Sequence, residues 1–139
     1  MKSTKVFLDS SIIIAGLASE TGGSHRVLAL AELGLITPYI SEEVTEEVMR
    51  NIQKKLPESI AHFYTLFKSL PFVFAVADEK AMKYARTLIN EKDASILAAA
   101  ISGKVDWLLS LDKHFQVLDW KGNLEFKIAS PQLFLNEFL

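Results

Sequence analysis

Four acidic residues of this chain stand where a carboxylate does more than solubilise a surface. Asp9 closes the apolar run KVFL and is followed at once by SSIIIAGLA. Asp112 closes WLLSL in the same way. An acid that ends an apolar strand and precedes a helix lies at the carboxyl edge of a sheet. Such an acid also serves as an N-cap, and the sequence leaves both readings open. Two aspartates at one sheet edge are costly unless a cation or a proton compensates. Asp93 opens DASILAAAIS. On a helix starting there, Ile96, Leu97, Ala100 and Ile101 form the buried stripe, and Asp93 shares that face. A carboxylate facing the core is expensive to bury unpaired, and the helix dipole offsets only a little of that cost; capping is the competing role. Residues 42–55 carry four glutamates around a stripe of Val44, Val48 and Ile52. At about 100° per residue, Glu47 is the glutamate nearest that stripe. Glu46 points roughly opposite and can pair with Arg50. Glu42 and Glu43 fall in the first turn, where they favour the dipole. A salt bridge to Arg50 competes with an inward role for Glu47. Carboxylates so placed, with no cysteine and no histidine pair at ligand spacing, describe a hard-cation site for Mg²⁺ or Mn²⁺. Sites of that kind serve phosphoryl chemistry: the metal orients and activates a water and neutralises charge developing on the phosphate.

The elements that must position these acids follow from the apolar pattern. Strands are expected at residues 5–9, 35–40, 72–76, 107–111 and 126–129. Pro38 suggests that the second is irregular or an edge strand. Helices are expected at 10–18, 25–33 (closed by Gly34), 42–55 (capped by Ser41), from Pro57 to about 70, from Asp78 to about 90, at 93–102 (stopped by Gly103), and from Pro131 onward. Residues 20–24 form a turn. Short apolar strands alternating with amphipathic helices predict an α/β fold with a mostly parallel sheet covered on both faces. Its ligand crevice is expected at the carboxyl ends of the strands.

The bulk properties agree. The chain has 139 residues, half of them hydrophobic, enough for one domain with a real core. No repeat, low-complexity tract or Pro/Gly/Ser-rich linker divides it. Without cysteine it has no disulfides, thiolate zinc sites or cysteine nucleophiles. MKSTKVFLDSS meets an aspartate too soon for a signal peptide. No apolar run approaches the roughly 20 residues that span a bilayer. A soluble cytoplasmic protein without membrane association is expected. The net charge of −2 is not the basic balance of a general nucleic-acid binder. It is compatible with a nuclease, because bound cations invert the local sign of a carboxylate cluster.

At these residues the sequence resembles the PIN-domain family of nucleases, over essentially the whole chain. KVFLDSSIII resembles the family's opening strand, with an Asp followed by a hydroxyl residue. ISEEVTEEV resembles the helix of the second acid, which by its spacing from Ser41 falls on Glu47. DASILAAAI resembles the third-acid helix, with Asp93. VDWLLSLDKHF resembles the segment that carries a Ser/Thr and an Asp, here Ser110 and Asp112. ASPQLFLNEFL resembles the closing helix. The resemblance implies a three-layer α/β/α domain that cleaves RNA, with Asp9, Asp93 and Asp112 holding Mg²⁺ or Mn²⁺. Glu47 would complete the acidic pocket, and Ser10 and Ser110 would support it by hydrogen bonds. Many small stand-alone members are toxins of toxin–antitoxin pairs, silenced by an antitoxin protein and commonly homodimeric; others process RNA. The opening DSS departs from the more frequent DTN or DTS but keeps the hydroxyl.

Two rival functions remain. A phosphatase of the haloacid dehalogenase type also ends its first strand in Asp, but wants a second acid two residues on, where this chain has Ser11. A catalytically inactive PIN-like module that only binds RNA or protein is the other; four filled acid positions argue against it. Lys113 and His114 read first as a solvated loop and second as RNA-phosphate contacts. Asp106, at the far end of the fourth strand, reads as a turn or cap. Trp107, Trp120 and the nine phenylalanines read as core. His25 and His62 show no ligand spacing.

Overall fold

The computed structural model describes residues 3–118 and 123–139, so Trp120 lies outside the described residues. Five strands form one sheet: β1 (Thr4–Leu8), β2 (Ile36–Ile40), β3 (Val73–Phe74), β4 (Trp107–Leu109) and β5 (Lys127–Ala129). Their order is β3-β2-β1-β4-β5, and every pairing is parallel. Parallel neighbours need long crossovers. The helices that supply them are α1 (Ser10–Ala18) and α2 (Gly23–Glu32), α3 (Glu42–Lys55) and α4 (Ile60–Ser69), and α5 (Glu79–Leu88) and α6 (Glu91–Gly103). The short α7 (Lys113–Gln116) follows β4, and α8 (Pro131–Phe138) closes the chain. The result is the expected three-layer α/β/α architecture. Val6, Phe7 and Leu8 on the central strand are fully buried, as an unbroken apolar run between two helical layers requires. Among the described residues, no helix is long and apolar enough to cross a membrane.

The helices follow from local chemistry. Ser41 Oγ accepts the Val44 N–H and starts α3, Glu42 and Glu43 occupy its first turn, and Lys54 and Lys55 its last. Val44, Val48 and Ile52 are buried along one face, Glu46 is exposed and Glu47 half-buried, as the 100° rotation predicts. In α6 the run Ile96 to Ala100 is buried all round, and its small alanines let α5 pack closely through Ala81 and Ala85. Gly16 does the same between α1 and α2, where a Cβ would run into Leu28.

Several expectations need correcting. Pro38 lies on an internal strand, paired with Val6 of β1. On its other side β3 reaches only Tyr39 and Ile40, so β2 is locally an edge at Pro38, and a missing N–H is tolerated there. The strand expected at 72–76 shrinks to two residues, and Phe74 is exposed, not core. The expected helix start at Asp93 moves back to Glu91, because Asn90 is the N-cap. The fourth strand, β4, stops at Leu109, two residues short of the expected end, which frees Ser110 and Leu111 for the turn that carries Asp112. Pro57 opens a short 3-10 turn, Pro57–Ser59, before α4 proper.

The strand order fixes where a ligand crevice can form. From β1 the chain steps outward to β2 and β3, then returns to place β4 on the other side of β1. The carboxyl ends of β1 and β4 therefore flank the topological switch point, where an α/β sheet opens a crevice.

Candidate active site

Asp9 leaves β1 and Ser110 leaves β4 at that switch point, joined by the Asp9 N–H donating to Leu109 O at 3.0 Å. Asp9 is only 5% exposed. Its Oδ2 accepts the Ser110 hydroxyl at 2.7 Å and the Ser11 hydroxyl at 3.1 Å. It makes no side-chain cap bond to α1, so the capping reading of Asp9 fails. Burial is the main cause that holds its carboxyl above the usual carboxylate range. The charge of Glu47 adds to this, while hydrogen bonds from Ser110, Ser10 and Ser11 oppose it. Glu47 arrives from α3, where the Ser10 hydroxyl donates to its Oε1. Ion pairs of Arg50 with Glu47 or Glu46 are not among those of the described residues.

Ser110 is fully buried and couples the two strand ends. Its hydroxyl donates to Asp9 and accepts the Asp112 N–H at 2.9 Å. Asp112 Oδ1 in turn accepts the His114 N–H at 2.8 Å, so this aspartate does cap the short α7. Asp93 comes in from the first turn of α6 and is buried. It does not cap: Asn90 Oδ1 accepts the Asp93 N–H, and Asn90 Nδ2 donates to Asp93 Oδ2, both at 3.0 Å. This reciprocal bonding fixes the carboxylate without neutralising it.

The carboxylates thus fall into two linked halves. Asp9 and Glu47 interact with each other and with Ser10, Ser11 and Ser110. Asp93, Asp112 and His114 offer one donor atom each, all within 4.8 Å of one another. Asp9 is not a member of that triad, although it was expected among the metal-holding acids; Ser110 is what ties it to Asp112. A divalent cation fits this donor set, since two carboxylates and an imidazole suit oxygen- and nitrogen-binding ions and a cation relieves the repulsion between the two acids. A cavity of about 550 Å³ opens instead at the amino end of the strands, between Asp78, Tyr84, Lys104 and Asp106, and holds none of the four acids.

Sequence reasoning missed three participants. Asn90 was readable, since Asn three residues before an acid at a helix start is a capping signature. Ser11 was not, because nothing in SS separates the hydroxyl that reaches Glu47 from the one that reaches Asp9. His114 read as a solvated loop residue because its approach to Asp93 is not local in sequence.

Removing the Ser110 hydroxyl gives a first expected outcome. Ser110→Ala leaves the buried Asp9 short of its closest donor and the Asp112 N–H without an acceptor. The variant should lose about 1–3 kcal/mol of stability in urea titrations. A change under about 0.5 kcal/mol would mean that Ser110 does not couple the strand ends.

The fold is that of a three-layer α/β/α protein with a carboxylate cluster at the switch point of its parallel sheet. The PIN domain matches residues 5–114, and the chain belongs to the PIN-domain family, a family of nucleases. No curated protein matches it significantly. Among solved structures it is similar to VapBC2 from Rickettsia felis bound to a DNA fragment from its promoter (19% identity, 90% of this chain and 98% of that chain, TM-score 0.65). It is similar to PAE2754 from Pyrobaculum aerophilum (14%, 96% and 88%, TM-score 0.67). It is also similar to DNA-bound VapBC from Salmonella typhimurium (14%, 92% and 98%, TM-score 0.63).

Proposed function

We propose that this chain is a Mg²⁺- or Mn²⁺-dependent ribonuclease that hydrolyses RNA phosphodiester bonds. We further propose that it is the toxin of a toxin–antitoxin pair. The observation that carries the nuclease reading is the Ser110 relay, which locks the buried acid after β1 to the acid after β4 at the sheet's switch point. In this reading Asp93 and Asp112 hold the cation directly, Asp9 adds its charge to the same ion from the end of β1, tied to Asp112 through Ser110, and Glu47 completes the pocket from α3. When bound, the cation supplies positive charge against the phosphate and polarises the attacking water. Ser110 and Asn90 keep two of the carboxylates from turning away, and Ser10 holds Glu47 toward the crevice. The uncompensated acids repel a phosphodiester, so RNA binding in the crevice depends on the cation. The toxin reading is supported by fold similarity to VapBC assemblies. It brings with it a protein antitoxin, a homodimer and a cytoplasmic location.

Cleavage of labelled single-stranded RNA with Mn²⁺, with Mg²⁺ and with EDTA tests the nuclease reading. Cutting should appear with either ion and vanish with EDTA. Equal cutting in EDTA would overturn the metal dependence, and no cutting of several RNAs under any condition would overturn the nuclease reading and leave a PIN-like binding module.

A further inference from the structure

His114 brings to the site a donor type that the four carboxylates lack. It is the second residue of α7, and its side chain is 69% exposed. The Asp112 cap bond turns α7 so that His114 Nδ1 lies 3.4 Å from Asp112 Oδ1. A charge-assisted hydrogen bond between such groups settles near 2.7–2.9 Å, so the ring is not committed to that carboxylate. With Asp93, the three side chains offer donor atoms within 4.8 Å of one another. Donors about 2.1 Å from one cation lie about 3 Å apart at right angles and about 4.2 Å apart when opposite. The 3.4 Å between His114 Nδ1 and Asp112 Oδ1 falls in that range, and the 4.8 Å bound on the whole triad leaves at most a few tenths of an ångström for side chains to close around a shared ion. Asp112 Oδ2 and Asp93 Oδ1 have no hydrogen-bond partner among the described residues, which leaves a lone pair on each acid for that ion.

We infer that His114 is a nitrogen ligand of the cation held by Asp93 and Asp112, and that it biases the site from Mg²⁺ toward first-row transition ions. The inference rests on the metal-nuclease reading above. Mg²⁺ prefers oxygen donors and gives up its waters reluctantly, so an imidazole adds little to its binding. Transition ions gain more from nitrogen. The ring is exposed and its contacts in the protein are to Asp112, so removing it leaves the fold intact.

The test is electron spin-echo spectroscopy of Mn²⁺ bound to the full chain, with Mn²⁺ and Mg²⁺ affinities measured alongside. Wild type should show nitrogen modulation from a directly bound ring. His114→Ala should lose that modulation, whereas His62→Ala, at an exposed site on α4, should keep it. The Mn²⁺ dissociation constant should rise about tenfold in His114→Ala, the size expected for a lost metal-site partner. The Mg²⁺ constant should move by less than about twofold. Bound Mn²⁺ without nitrogen modulation, or equal weakening of both ions, would overturn the inference and reduce His114 to a residue that orients Asp112; the nuclease reading would stand. A wild-type protein that binds neither ion and cuts no RNA overturns that reading, and the nitrogen ligand with it.

Discussion

Asp112→Asn should lower metal-dependent RNA cleavage by about 10²-fold or more, the loss expected when a group acting on the transition state is removed. The substitution suits the question because it changes little else. Asp112 caps α7 through its Oδ1, and an asparagine oxygen accepts the same His114 N–H. Its own N–H still reaches Ser110. The side chain is 41% exposed, so no buried charge is stranded, and stability should stay within about 0.5 kcal/mol of wild type. Asp106→Asn is the matching control. It removes the same charge at the opposite end of the sheet, where Asp106 accepts the Lys5 N–H, and should leave cutting unchanged. Equal cleavage by Asp112→Asn and wild type, with both folded, would remove catalysis from this sheet edge. A loss shared by Asp106→Asn would point to bulk charge.

The residues expected for the site were those whose roles are visible locally. Asp9 and Asp112 stand out because an apolar strand ends on each, and strand ends define the crevice in a parallel sheet. Glu47 emerges from helical rotation, since among four glutamates it is the one beside the Val44–Val48 stripe, and the structure leaves it half-buried against Ser10. What stayed illegible depends on tertiary approach. The proximity of Asp93 to Asp112 joins α6 to the turn after β4, and periodicity does not encode it. Pro38 was misread for the same reason: the rule against proline in internal strands holds for a full ladder, but β3 spans only two residues and leaves Pro38 without an outer partner. The shortness of β3 is itself tertiary. Residues 72–76 form an unbroken apolar run as a buried strand would, yet among the described residues no strand lies beyond β3 to cover its outer edge.

Asp9→Asn should behave unlike an ordinary core substitution. Cleavage should fall as far as in Asp112→Asn, about 10²-fold or more, if Asp9 acts on the cation and substrate. In EDTA at neutral pH, however, the variant should melt at a higher temperature than wild type. The reason is the direction of the Asp9 shift. Burial and the neighbouring Glu47 hold its carboxyl above the ordinary value of 3.8, so the folded chain binds this proton more tightly than the unfolded chain. Below that value Asp9 is protonated in both states and costs nothing. As pH rises the unfolded carboxyl ionises first and the fold loses stability; the loss is complete above the folded pKa and persists at neutral pH. Asparagine escapes it and still accepts the Ser110 hydroxyl. The melting-temperature gap in EDTA should therefore open as pH climbs past 3.8 and then hold steady. Mn²⁺ should reverse the order, because an ion at a hundred times its dissociation constant adds about 2.7 kcal/mol to the protein that binds it. A structural aspartate gives the opposite pattern: its removal lowers the melting temperature in EDTA and in Mn²⁺ alike. Melting curves of the two proteins in the two buffers separate a buried acid that serves a cation from one that serves the fold.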